Sequence, residues 1–369
     1  MSTVAVHQLV PSLVPGDATA GHTLQLQGLL RDLGFDSEIY ALAIHPDLEA
    51  RARLVEELRG PTRADRFLVY QYSAVSGLAD WLIGRREQVA LDYHNITPPA
   101  FFRPWEPDIA LSLLAAQVQV AQLAPRLRLG ICDSGFNAAD LRGRGARATT
   151  VVPILLDVRD FDDEPDPATS AALDRARQSG GSQWLFVGGI APHKAQHRLV
   201  QALASYRRTF DPDARLALVG RVISPSYGCA LRSLVHDLEL EAAVDMPGWV
   251  DHRQLAAYYR AADVYVCLSA HEGFCVPLLE AMFHGVPVVA AAAGAVPETL
   301  AAGGLLIDDD SAHVVAASVG AVLSDSEARA ALVAAGRARL GHFGLERTRA
   351  AMTAVVRRWV ASAGGWEAG

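Results

Sequence analysis

The chain has one lysine, Lys194, and the other 32 of its 33 basic residues (33 minus 1) are arginines. Lys194 lies in a loop with two glycines, which follows the apolar run Trp184–Val187. An ammonium group is a compact point charge that suits one phosphate oxygen or a Schiff base, whereas the planar guanidinium of arginine suits bidentate pairing. The survival of one lysine in so arginine-rich a chain therefore predicts a functional site at this loop.

Two glutamates, Glu272 and Glu280, lie eight residues apart around the start of a predicted helix. Pro277 lies between them, at a position where the first helical turn tolerates proline. Unpaired backbone amides at the start of a helix form a site for phosphate. The amides predicted to lie there are those of Phe274, Cys275 and Val276.

The segment from Leu268 to Ala290 resembles the two-glutamate motif of retaining glycosyltransferases of the GT-B fold, specifically glycosyltransferase family 4. The match is specific because the glutamate spacing comes with Gly-Phe, Pro-Leu-Leu-Glu-Ala-Met and Gly-Val-Pro-Val-Val. The resemblance implies that Glu272 lies against the transferred sugar and that Glu280 binds the ribose hydroxyls of the nucleotide, a good partner for a carboxylate. The alternatives are a charge that stabilises the helix N-terminus for Glu272 and a solvated helix residue for Glu280.

The phosphate clamp departs from the family pattern. The family has an arginine five residues before the lysine, and both cations hold the donor diphosphate; here Lys194 matches, but Gly189 stands in place of the arginine. Arg221, which follows the next predicted strand, is our candidate for the missing charge, and a plain surface arginine is the alternative. Loss of a comparable charge stabiliser costs about 2.7–4 kcal/mol in the barrier. We therefore expect either compensation or weak activity.

The same resemblance covers other loops. His94, in the segment His-Asn-Ile-Thr-Pro-Pro after a predicted strand, is implied to contact the donor sugar, and a structural histidine is the alternative. Gly16 and Asp17 match in part a loop that touches diphosphate and acceptor, and a helix N-cap is the alternative. Gly248 and Val250 belong to a segment whose backbone contacts the base in the family.

No metal is expected. Asp308, Asp309 and Asp310 look like the metal-binding Asp-x-Asp motif of the other glycosyltransferase fold, but they end a predicted strand and precede Ser311, so we expect a turn and a helix cap. The four cysteines include no Cys-x-x-Cys pair, which argues against a zinc site and a disulfide framework. The donor sugar nucleotide would be a substrate, and we expect no cofactor beside it.

Apolar runs alternate with helical patterns along the chain, which is typical of parallel α/β sheets. Three prolines and several aspartates interrupt this alternation between Pro153 and Thr169, so we place the domain linker there. The resemblance implies the GT-B fold, in which two Rossmann-like, doubly wound domains face each other across a cleft. We predict an acceptor-side domain at 1–155, a nucleotide-sugar-binding domain at 170–344, and a last helix at about 345–362 that packs back on the first domain. The runs predicted as strands are Val4–Leu9, Phe67–Tyr70, Val89–Tyr93, Leu127–Cys132, Thr150–Val152, Trp184–Val187, Leu216–Val219, Val264–Leu268, Val286–Ala290 and Leu305–Ile307.

Charge and hydropathy exclude some classes of partner. The net charge is −8 and the basic residues form no run, so we expect no nucleic-acid partner. The longest nearly apolar run, Val286–Pro297, is too short to span a membrane, and no basic residue precedes an apolar stretch at the start of the chain. We therefore expect no integral membrane segment and a cytoplasmic location.

The function implied is that of a retaining, metal-independent glycosyltransferase. It would move a sugar from a UDP- or GDP-sugar to a hydroxyl of a small-molecule, glycan or lipid-linked acceptor. Two alternatives stay open: a degenerate GT-B protein that binds a nucleotide sugar or glycan without turnover, which Gly189 favours, and a GT-B nucleotide-sugar 2-epimerase. An epimerase needs no acceptor, so product analysis without acceptor would identify it.

Overall fold

The computed structural model describes residues 4–58, 66–85, 87–178 and 180–362. The chain divides into two compact units, each with its own parallel sheet. Unit 1 comprises Met1–Pro99, Asp108–Leu156 and Phe343–Gly369, and unit 2 comprises Ala100–Pro107 and Asp157–His342. Among the described residues, no helix is long and apolar enough to cross a bilayer.

Unit 1 is built on a seven-stranded sheet of order β3-β2-β1-β4-β5-β6-β7, in which every neighbouring pair is parallel. Its strands are β1 (Ala5–Leu13), β2 (Ile39–Ile44), β3 (Arg53–Leu54), β4 (Arg66–Tyr72), β5 (Gln88–Tyr93), β6 (Leu129–Cys132) and β7 (Thr149–Val151). Its helices are α1 (Ala18–Asp32), α2 (Gly77–Ile83), α3 (Pro107–Leu123), α4 (Gly135–Gly143) and α13 (Leu345–Ser362).

Helix α13 completes the core of unit 1. Its residues Met352, Val356 and Trp359 are buried against apolar side chains of α1 and β4. The Trp359 ring meets the Phe67 ring edge to face, with 5.1 Å between the centroids. The apolar positions recur at helical spacing, so one face of α13 is buried and the other is solvated.

Unit 2 has a six-stranded parallel sheet of order β10-β9-β8-β11-β12-β13. Its strands are β8 (Gln183–Val187), β9 (Arg215–Val219), β10 (Val244–Gly248), β11 (Val264–Cys267), β12 (Val288–Ala291) and β13 (Leu305–Ile307). Its helices are α5 (Pro167–Arg177), α6 (Gln196–Thr209), α7 (Pro225–Asp237), α8 (His252–Ala261), α9 (Val276–His284), α10 (Val296–Leu300), α11 (Ala312–Ser324) and α12 (Ser326–Leu340).

Each sheet has a point where the strand order reverses. In unit 1 this point lies between β1 and β4, and in unit 2 it lies between β8 and β11. Loops that leave the carboxyl ends of two such strands diverge to opposite faces of the sheet and leave a crevice, which is where ligands bind in open α/β sheets. The loops after β1, β4, β8 and β11 are therefore the places to look for functional side chains.

Two features differ from the sequence prediction. The predicted runs fall on ten of the strands, but β2, β3 and β10 were not predicted. The predicted first domain also contains Ala100–Pro107, which the structure groups with unit 2. Within that unit Trp105 packs on Tyr227 at 5.3 Å between ring centroids, and Glu106 accepts a hydrogen bond from the Ser226 amide at 2.9 Å.

Candidate functional site

Lys194 and Glu272 meet at the carboxyl ends of β8 and β11, the reversal point of the unit 2 sheet. Lys194 ends a short 3-10 turn after β8, and Glu272 lies in the loop between β11 and α9. The Lys194 Nζ donates to both carboxylate oxygens of Glu272, at 2.6 Å to Oε1 and 2.7 Å to Oε2. The lysine side chain is 22% exposed and the glutamate side chain 9%. The structure thus brings together two residues that the sequence singled out separately.

The charge of Lys194 is stabilised by its partner. Burial opposes the charged form, but the Glu272 carboxylate more than offsets it, so the pKa of the ammonium is raised. Next to it, burial and then the Lys194 charge lower the pKa of His193 to about 3, so that ring is neutral at pH 7. The His193 ring lies against Phe101 and Phe102, at 6.3 Å and 5.6 Å between ring centroids. Lys194 is therefore the cation of this loop.

Backbone contacts fix the loop that carries Glu272. The Ala270 amide donates to the His193 carbonyl at 2.8 Å, and the Ala295 amide donates to the Glu272 carbonyl at 2.9 Å. Gly294 has φ +57°, and a Cβ there would lie 2.5 Å from the Glu272 carbonyl oxygen. No side chain fits in that space, so glycine is required for the loop after β12 to approach Glu272 so closely.

Helix α9 begins where the sequence predicts a helix N-terminus. Val276 is its first residue, Pro277 lies in the first turn, and Cys275 is the N-cap with φ +74°. The Phe274 carbonyl accepts a hydrogen bond from the Thr299 hydroxyl at 2.6 Å. The three residues whose amides the sequence selected, Phe274, Cys275 and Val276, thus lie at the junction of the Glu272 loop and α9.

Glu280 lies on α9, half-buried. The Tyr259 hydroxyl donates to its Oε2 at 2.6 Å, and Tyr259 stacks on His284 with 5.1 Å between the rings. Burial raises the pKa of the Glu280 carboxyl, against a smaller lowering by the Tyr259 hydrogen bond. Helix α8, which carries Tyr259, therefore fixes the direction of this carboxylate.

Gly189, which stands where the family has an arginine, lies close to the side chain of Ile223. A Cβ on Gly189 would lie 2.7 Å from Cγ1 of Ile223, so a larger side chain would have to displace that isoleucine. The Gly189 carbonyl also accepts from the Gln196 amide group at 2.8 Å. Arg221 is exposed, and its carbonyl accepts from the Ile190 amide at 2.9 Å. The backbone of Arg221 thus lies along the same loop as Gly189.

The segment predicted to contact the base begins at Gly248, the last residue of β10. Gly248 has φ +82°, and its carbonyl accepts from the Gly220 amide at 2.9 Å. Trp249 is 63% exposed, Val250 is half-buried, and Asp251 caps α8. The chain therefore turns at the glycine and presents its backbone at the carboxyl edge of the sheet.

Gly16 and Asp17 lie in the exposed loop between β1 and α1. Gly16 has φ +77°, and Asp17 is the N-cap of α1, with its carboxylate accepting from the Thr19 amide at 2.9 Å. These contacts are the ones that the helix-cap alternative predicts.

His94 follows β5 in unit 1 and belongs to a buried network. Its Nδ1 lies 2.8 Å from Oδ2 of Asp133, and its Nε2 lies 2.7 Å from Oε1 of Gln71. The side chains of His94 and Asp133 are 7% and 4% exposed. Both ring nitrogens, which the resemblance would turn toward the donor sugar, therefore have protein partners in this structure.

The backbone amide of Leu155 can only donate, and this sets the direction of the hydrogen bonds that lead to His94. The Leu155 amide donates to Nδ1 of His22 at 2.8 Å, so the ring proton of His22 is on Nε2. That nitrogen donates to Oδ2 of Asp92 at 2.8 Å. The Asp92 carboxylate is accordingly an acceptor for its other neighbour in the network, Gln71.

The direction continues through Gln71. Its Nε2 lies 3.3 Å from the Asp92 carboxylate and 3.1 Å from Oε1 of Gln8, whose own amide nitrogen donates to the Thr23 carbonyl. Both neighbours are acceptors, so Gln71 presents its NH2 group to them and its carbonyl oxygen to His94. Since its other nitrogen faces a carboxylate, His94 donates from both nitrogens and is an imidazolium. Burial opposes that charge, but Asp133 and then Asp92 raise its pKa to about 9.

We call His22, Gln71, Asp92, His94 and Asp133 the histidine network. Only His94 was selected from the sequence. Asp92 precedes it by two residues in β5, and Asp133 directly follows β6, so polar residues at the ends of adjacent strands were the signal that could have revealed them. Gln71 carries the same signal, because it is the next-to-last residue of β4 and pairs with Asp92 in the sheet, whereas His22 on α1 carries none.

Two groups of side chains in the described part of the chain have metal-ligand chemistry. They are His22, Asp92 and His94 in unit 1 and Cys267, Glu272 and Cys275 in unit 2, with ligand atoms within 4.8 Å of one another in each group. In the first group the atoms are hydrogen-bonded within the histidine network, and in the second both oxygens of Glu272 face Lys194. The Asp309 carboxylate accepts from the Ser311 amide at 2.8 Å, as expected of a turn before α11.

Comparison with known proteins identifies the family. Residues 174–339 match the model of glycosyl transferases group 1. A D-inositol 3-phosphate glycosyltransferase of Kineococcus radiotolerans is 32% identical over 317 residues, which cover 79% of this chain and 72% of that protein. The chain belongs to the glycosyl transferases group 1 family. The matched range includes Lys194, Glu272 and Glu280.

Other relatives of this glycosyltransferase differ in the sugar chemistry that their names give. A GDP-mannose-dependent alpha-(1-6)-phosphatidylinositol monomannoside mannosyltransferase of Mycobacterium tuberculosis is 36% identical over 183 residues, 47% of this chain and 46% of that protein. The crystal structure of Anabaena HepE in complex with UDP and glucose superposes with a TM-score of 0.74 at 20% identity, covering 96% of this chain and 100% of that one. Sucrose-phosphate synthase of Thermosynechococcus elongatus gives a TM-score of 0.75 at 21% identity, with 97% and 100% covered. These structural matches show the GT-B fold.

Proposed function

We propose that this glycosyltransferase takes a sugar from a nucleoside diphosphate sugar and transfers it to an acceptor hydroxyl, with retention of the anomeric configuration and without a metal ion. The observation that carries the proposal is the bidentate ion pair of Lys194 and Glu272 at the reversal point of the unit 2 sheet. The pair joins a cation suited to phosphate with a carboxylate suited to sugar hydroxyls.

The donor is recognised by unit 2 in this proposal. Lys194 and the amides at the start of α9 bind the diphosphate, because a helix N-terminus and an ammonium both favour negative charge. Glu280, oriented by Tyr259, binds the ribose hydroxyls. The backbone at Gly248 and Val250 contacts the base. Glu272 turns from Lys194 to the transferred sugar once the diphosphate supplies the ammonium with a new counter-charge.

Retention follows if the acceptor hydroxyl attacks from the face that the diphosphate leaves. A donor phosphate oxygen then takes the acceptor proton, and Lys194 with the α9 amides stabilises the charge that develops on the leaving group. The protein's part in this step is to position the groups and to neutralise charge. A metal ion would supply the same neutralisation in other enzymes; here Lys194 supplies it.

The histidine network gives unit 1 a separate role. Both ring nitrogens of His94 donate within the network, so its part in this proposal is a buried positive charge rather than a hydrogen bond to sugar. Gly16 and Asp17 shape the α1 end of the same sheet edge.

The relatives suggest which substrates to test first. One relative is named for GDP-mannose and others for inositol 3-phosphate, and HepE was crystallised with UDP. We propose a UDP- or GDP-sugar as donor and a small-molecule, glycan or lipid-linked alcohol as acceptor, with inositol 3-phosphate as the first alcohol to try.

The test of the donor site is nucleotide binding by wild type and Lys194→Met. UDP, GDP, ADP and TDP are added in thermal unfolding, where a ligand at about 100 times its Kd adds about 2.7 kcal/mol to stability. One nucleotide should stabilise wild type and not Lys194→Met. Arg198→Met is the matched control, because Arg198 is a cation of α6 that pairs with Asp310. If no nucleotide stabilises wild type, or if Lys194→Met responds as wild type does, the donor site is wrong.

Turnover separates this proposal from a binding protein without activity, the alternative that Gly189 in place of the family's arginine favours. The preferred nucleotide sugar is incubated with candidate alcohols, with and without EDTA, and NMR reads the anomeric configuration of the product. An α-linked product from an α-linked donor, unaffected by EDTA, is expected. An inverted product would contradict retention, and isomerised donor in the absence of acceptor would indicate the 2-epimerase.

Arg221 is tested in the same assay. If it supplies the second cation of the clamp, Arg221→Met lowers kcat by about a hundredfold, near the low end for loss of one charge stabiliser. Arg232→Met, a change of another arginine of unit 2, is the control. Unchanged kcat and nucleotide affinity would make Arg221 a surface residue.

A further inference from the structure

Two cysteines lie at the ends of the loop that carries Glu272. Cys267 is the last residue of β11, and Cys275 is the N-cap of α9. Both are buried free thiols, 0% and 8% exposed. Their sulfur atoms and a Glu272 oxygen all lie within 4.8 Å of one another. The loop is therefore almost closed on itself by two thiols.

The backbone at Cys275 makes this arrangement unusual. Its φ of +74° lies in the left-handed region, which non-glycine residues enter at a cost and glycine enters freely. A side chain held in that conformation at a functional loop indicates a use for the side chain. The nearest chemistry for a thiol at that place is the second thiol, Cys267, whose sulfur lies within 4.8 Å of the Cys275 sulfur.

We propose that Cys267 and Cys275 are a redox-active dithiol, which a hydroperoxide oxidises to an intramolecular disulfide, and that this bond takes Glu272 out of its ligand-binding geometry. The second half of this proposal rests on the donor site proposed above, whereas the first half does not.

The oxidation balances with hydrogen peroxide as the named oxidant. One thiol gives up its proton and its sulfur attacks a peroxide oxygen, which breaks the O–O bond and forms a sulfenic acid and water. The second sulfur then attacks the sulfenic sulfur, and the hydroxyl leaves with the second proton as water. The two thiols lose two electrons, the peroxide gains them, and the products are one S–S bond and two waters. Dithiothreitol reverses the reaction by thiol–disulfide exchange.

The hydrogen bond between the thiols favours this chemistry. A hydrogen bond from the Cys275 thiol lowers the pKa of the Cys267 thiol, against the burial that raises it, and the thiolate is the reactive form. The contact with Cys267, burial and the Glu272 carboxylate raise the pKa of the Cys275 thiol, and the Lys194 charge offsets only part of this, so Cys267 is the thiol that attacks.

A thiophilic metal ion is the rival occupant of the same cluster. It would need Glu272 as its third ligand, but both oxygens of that carboxylate accept hydrogen bonds from Lys194. A divalent ion would therefore have to compete with the Lys194 ammonium for the Glu272 carboxylate. A disulfide needs only the two sulfurs and is uncharged, so the observations favour it over a metal.

The bond would reach the ligand site through the loop between the cysteines. The sulfurs must approach to about 2.05 Å, and the ends of the loop move with them. The backbone of Glu272 is held in place, because its carbonyl accepts from the Ala295 amide at 2.9 Å and packs closely on Gly294. Movement of the loop ends therefore disturbs the ion pair of Glu272 with Lys194. It also shifts the backbone amides at the start of α9, where Cys275 is the N-cap.

The first test is chemical and needs no substrate. A Cys229→Ser background removes the exposed thiol. The protein is treated with hydrogen peroxide, alkylated under denaturing conditions and digested with a protease that cleaves after glutamate. Since Glu272 lies between the two cysteines, the cleaved halves stay joined only if the S–S bond has formed. Cys275→Gly, which suits the left-handed backbone, is the control that removes the pair, and Cys132→Ser is the control that keeps it.

The second test measures affinity for the nucleotide identified above, in reduced, oxidised and re-reduced protein. We expect joined peptides, a loss of affinity of about tenfold on oxidation, recovery with dithiothreitol, and no such change on oxidation in Cys267→Ala. Separate peptides overturn the dithiol. Joined peptides with unchanged affinity overturn its effect on the site. Zinc bound stoichiometrically to the reduced protein would assign the cluster to a metal instead. If the reduced protein binds no nucleotide, the proposed donor site fails while the peptide map still decides the dithiol.

Discussion

At the scale of single residues, the Lys194 ammonium is expected to pair with two different anions, Glu272 in the free protein and a diphosphate in the donor complex. In the structure it is neutralised by Glu272, and in the proposed donor complex a diphosphate would take that place. In the proposed donor complex the Glu272 carboxylate contacts the transferred sugar, but its negative charge also repels the nearby diphosphate. The two glutamates of the motif should therefore affect nucleotide binding in opposite directions.

This opposition is testable with the same substitution at both sites. Glu272→Gln should tighten nucleoside diphosphate binding by on the order of tenfold, because it removes a negative charge beside the phosphates, and it should lower kcat. Glu280→Gln should weaken binding, because a carboxylate that accepts ribose hydroxyls is lost. Titration calorimetry measures both affinities. Equal changes of the same sign would show that the two carboxylates do not have separate roles.

His94 gives a prediction for pH. Its pKa of about 9 in the folded protein lies above the ordinary value of 6.5, so its contribution to stability is fully present below about pH 6.5 and is lost as pH rises through about 9. The shift corresponds to roughly 3 kcal/mol. The free energy of unfolding, from urea denaturation, should fall over this range in wild type. In His94→Gln that component should be absent.

The difference between the two curves isolates His94 from the other groups that titrate in the same range. Parallel curves for wild type and His94→Gln would contradict the imidazolium. Nitrogen NMR of the His94 ring at pH 8 is the direct check, with both nitrogens protonated as the expected state, since Asp133 and Gln71 both accept from the ring.

The sequence contains enough to select single residues but not their partners. Lys194, Glu272, Glu280 and His94 stood out by residue type and by motif. The pairing of Lys194 with Glu272, which are 78 residues apart in the chain, depends on the adjacency of β8 and β11. The histidine network depends on one backbone amide, that of Leu155, and no sequence pattern shows its direction.

At the scale of elements, the loops are fixed more by backbone fit than by side chains. Two of the three unpredicted strands had weak sequence signals. β3 and β10 are the edges of their sheets, β3 has two residues, and β10 contains Pro247, which an edge strand tolerates. Their short or interrupted apolar patterns are weak signals, and only pairing with the neighbouring strand makes them strands.

Gly294 is the element-scale test. Gly294→Ala should cost about 1–3 kcal/mol and should also displace Glu272, because the new Cβ would meet its carbonyl oxygen at 2.5 Å. Gly34→Ala is the matched control: its φ is +84° and no atom lies within 4 Å of the new Cβ. Both variants should lose stability in thermal unfolding, but nucleotide affinity should fall only in Gly294→Ala. Equal affinities in the two variants would mean that the loop after β12 does not position Glu272.

At the scale of the whole molecule, neither unit is one continuous stretch of the chain. The chain forms most of unit 1, passes through unit 2 and returns to unit 1 with α13. The sequence predicted that return from the apolar spacing of the last helix. It did not predict that Ala100–Pro107 belongs with unit 2, because the contacts of Trp105 and Glu106 join positions more than a hundred residues apart.

Substitution of Trp359 tests how far the stability of unit 1 depends on α13. The side chain is 5% exposed and packs on Phe67, so Trp359→Ala should cost about 3–5 kcal/mol. Hydrogen exchange followed by mass spectrometry should show faster exchange in peptides of β4 and α1 and little change in peptides of β11 and α9. Trp249→Ala makes the same change at a site that is 63% exposed, and it should leave exchange in β4 unaltered. Faster exchange spread evenly over both units would contradict the assignment of α13 to unit 1, since the buried contacts of Trp359 lie in that unit's core.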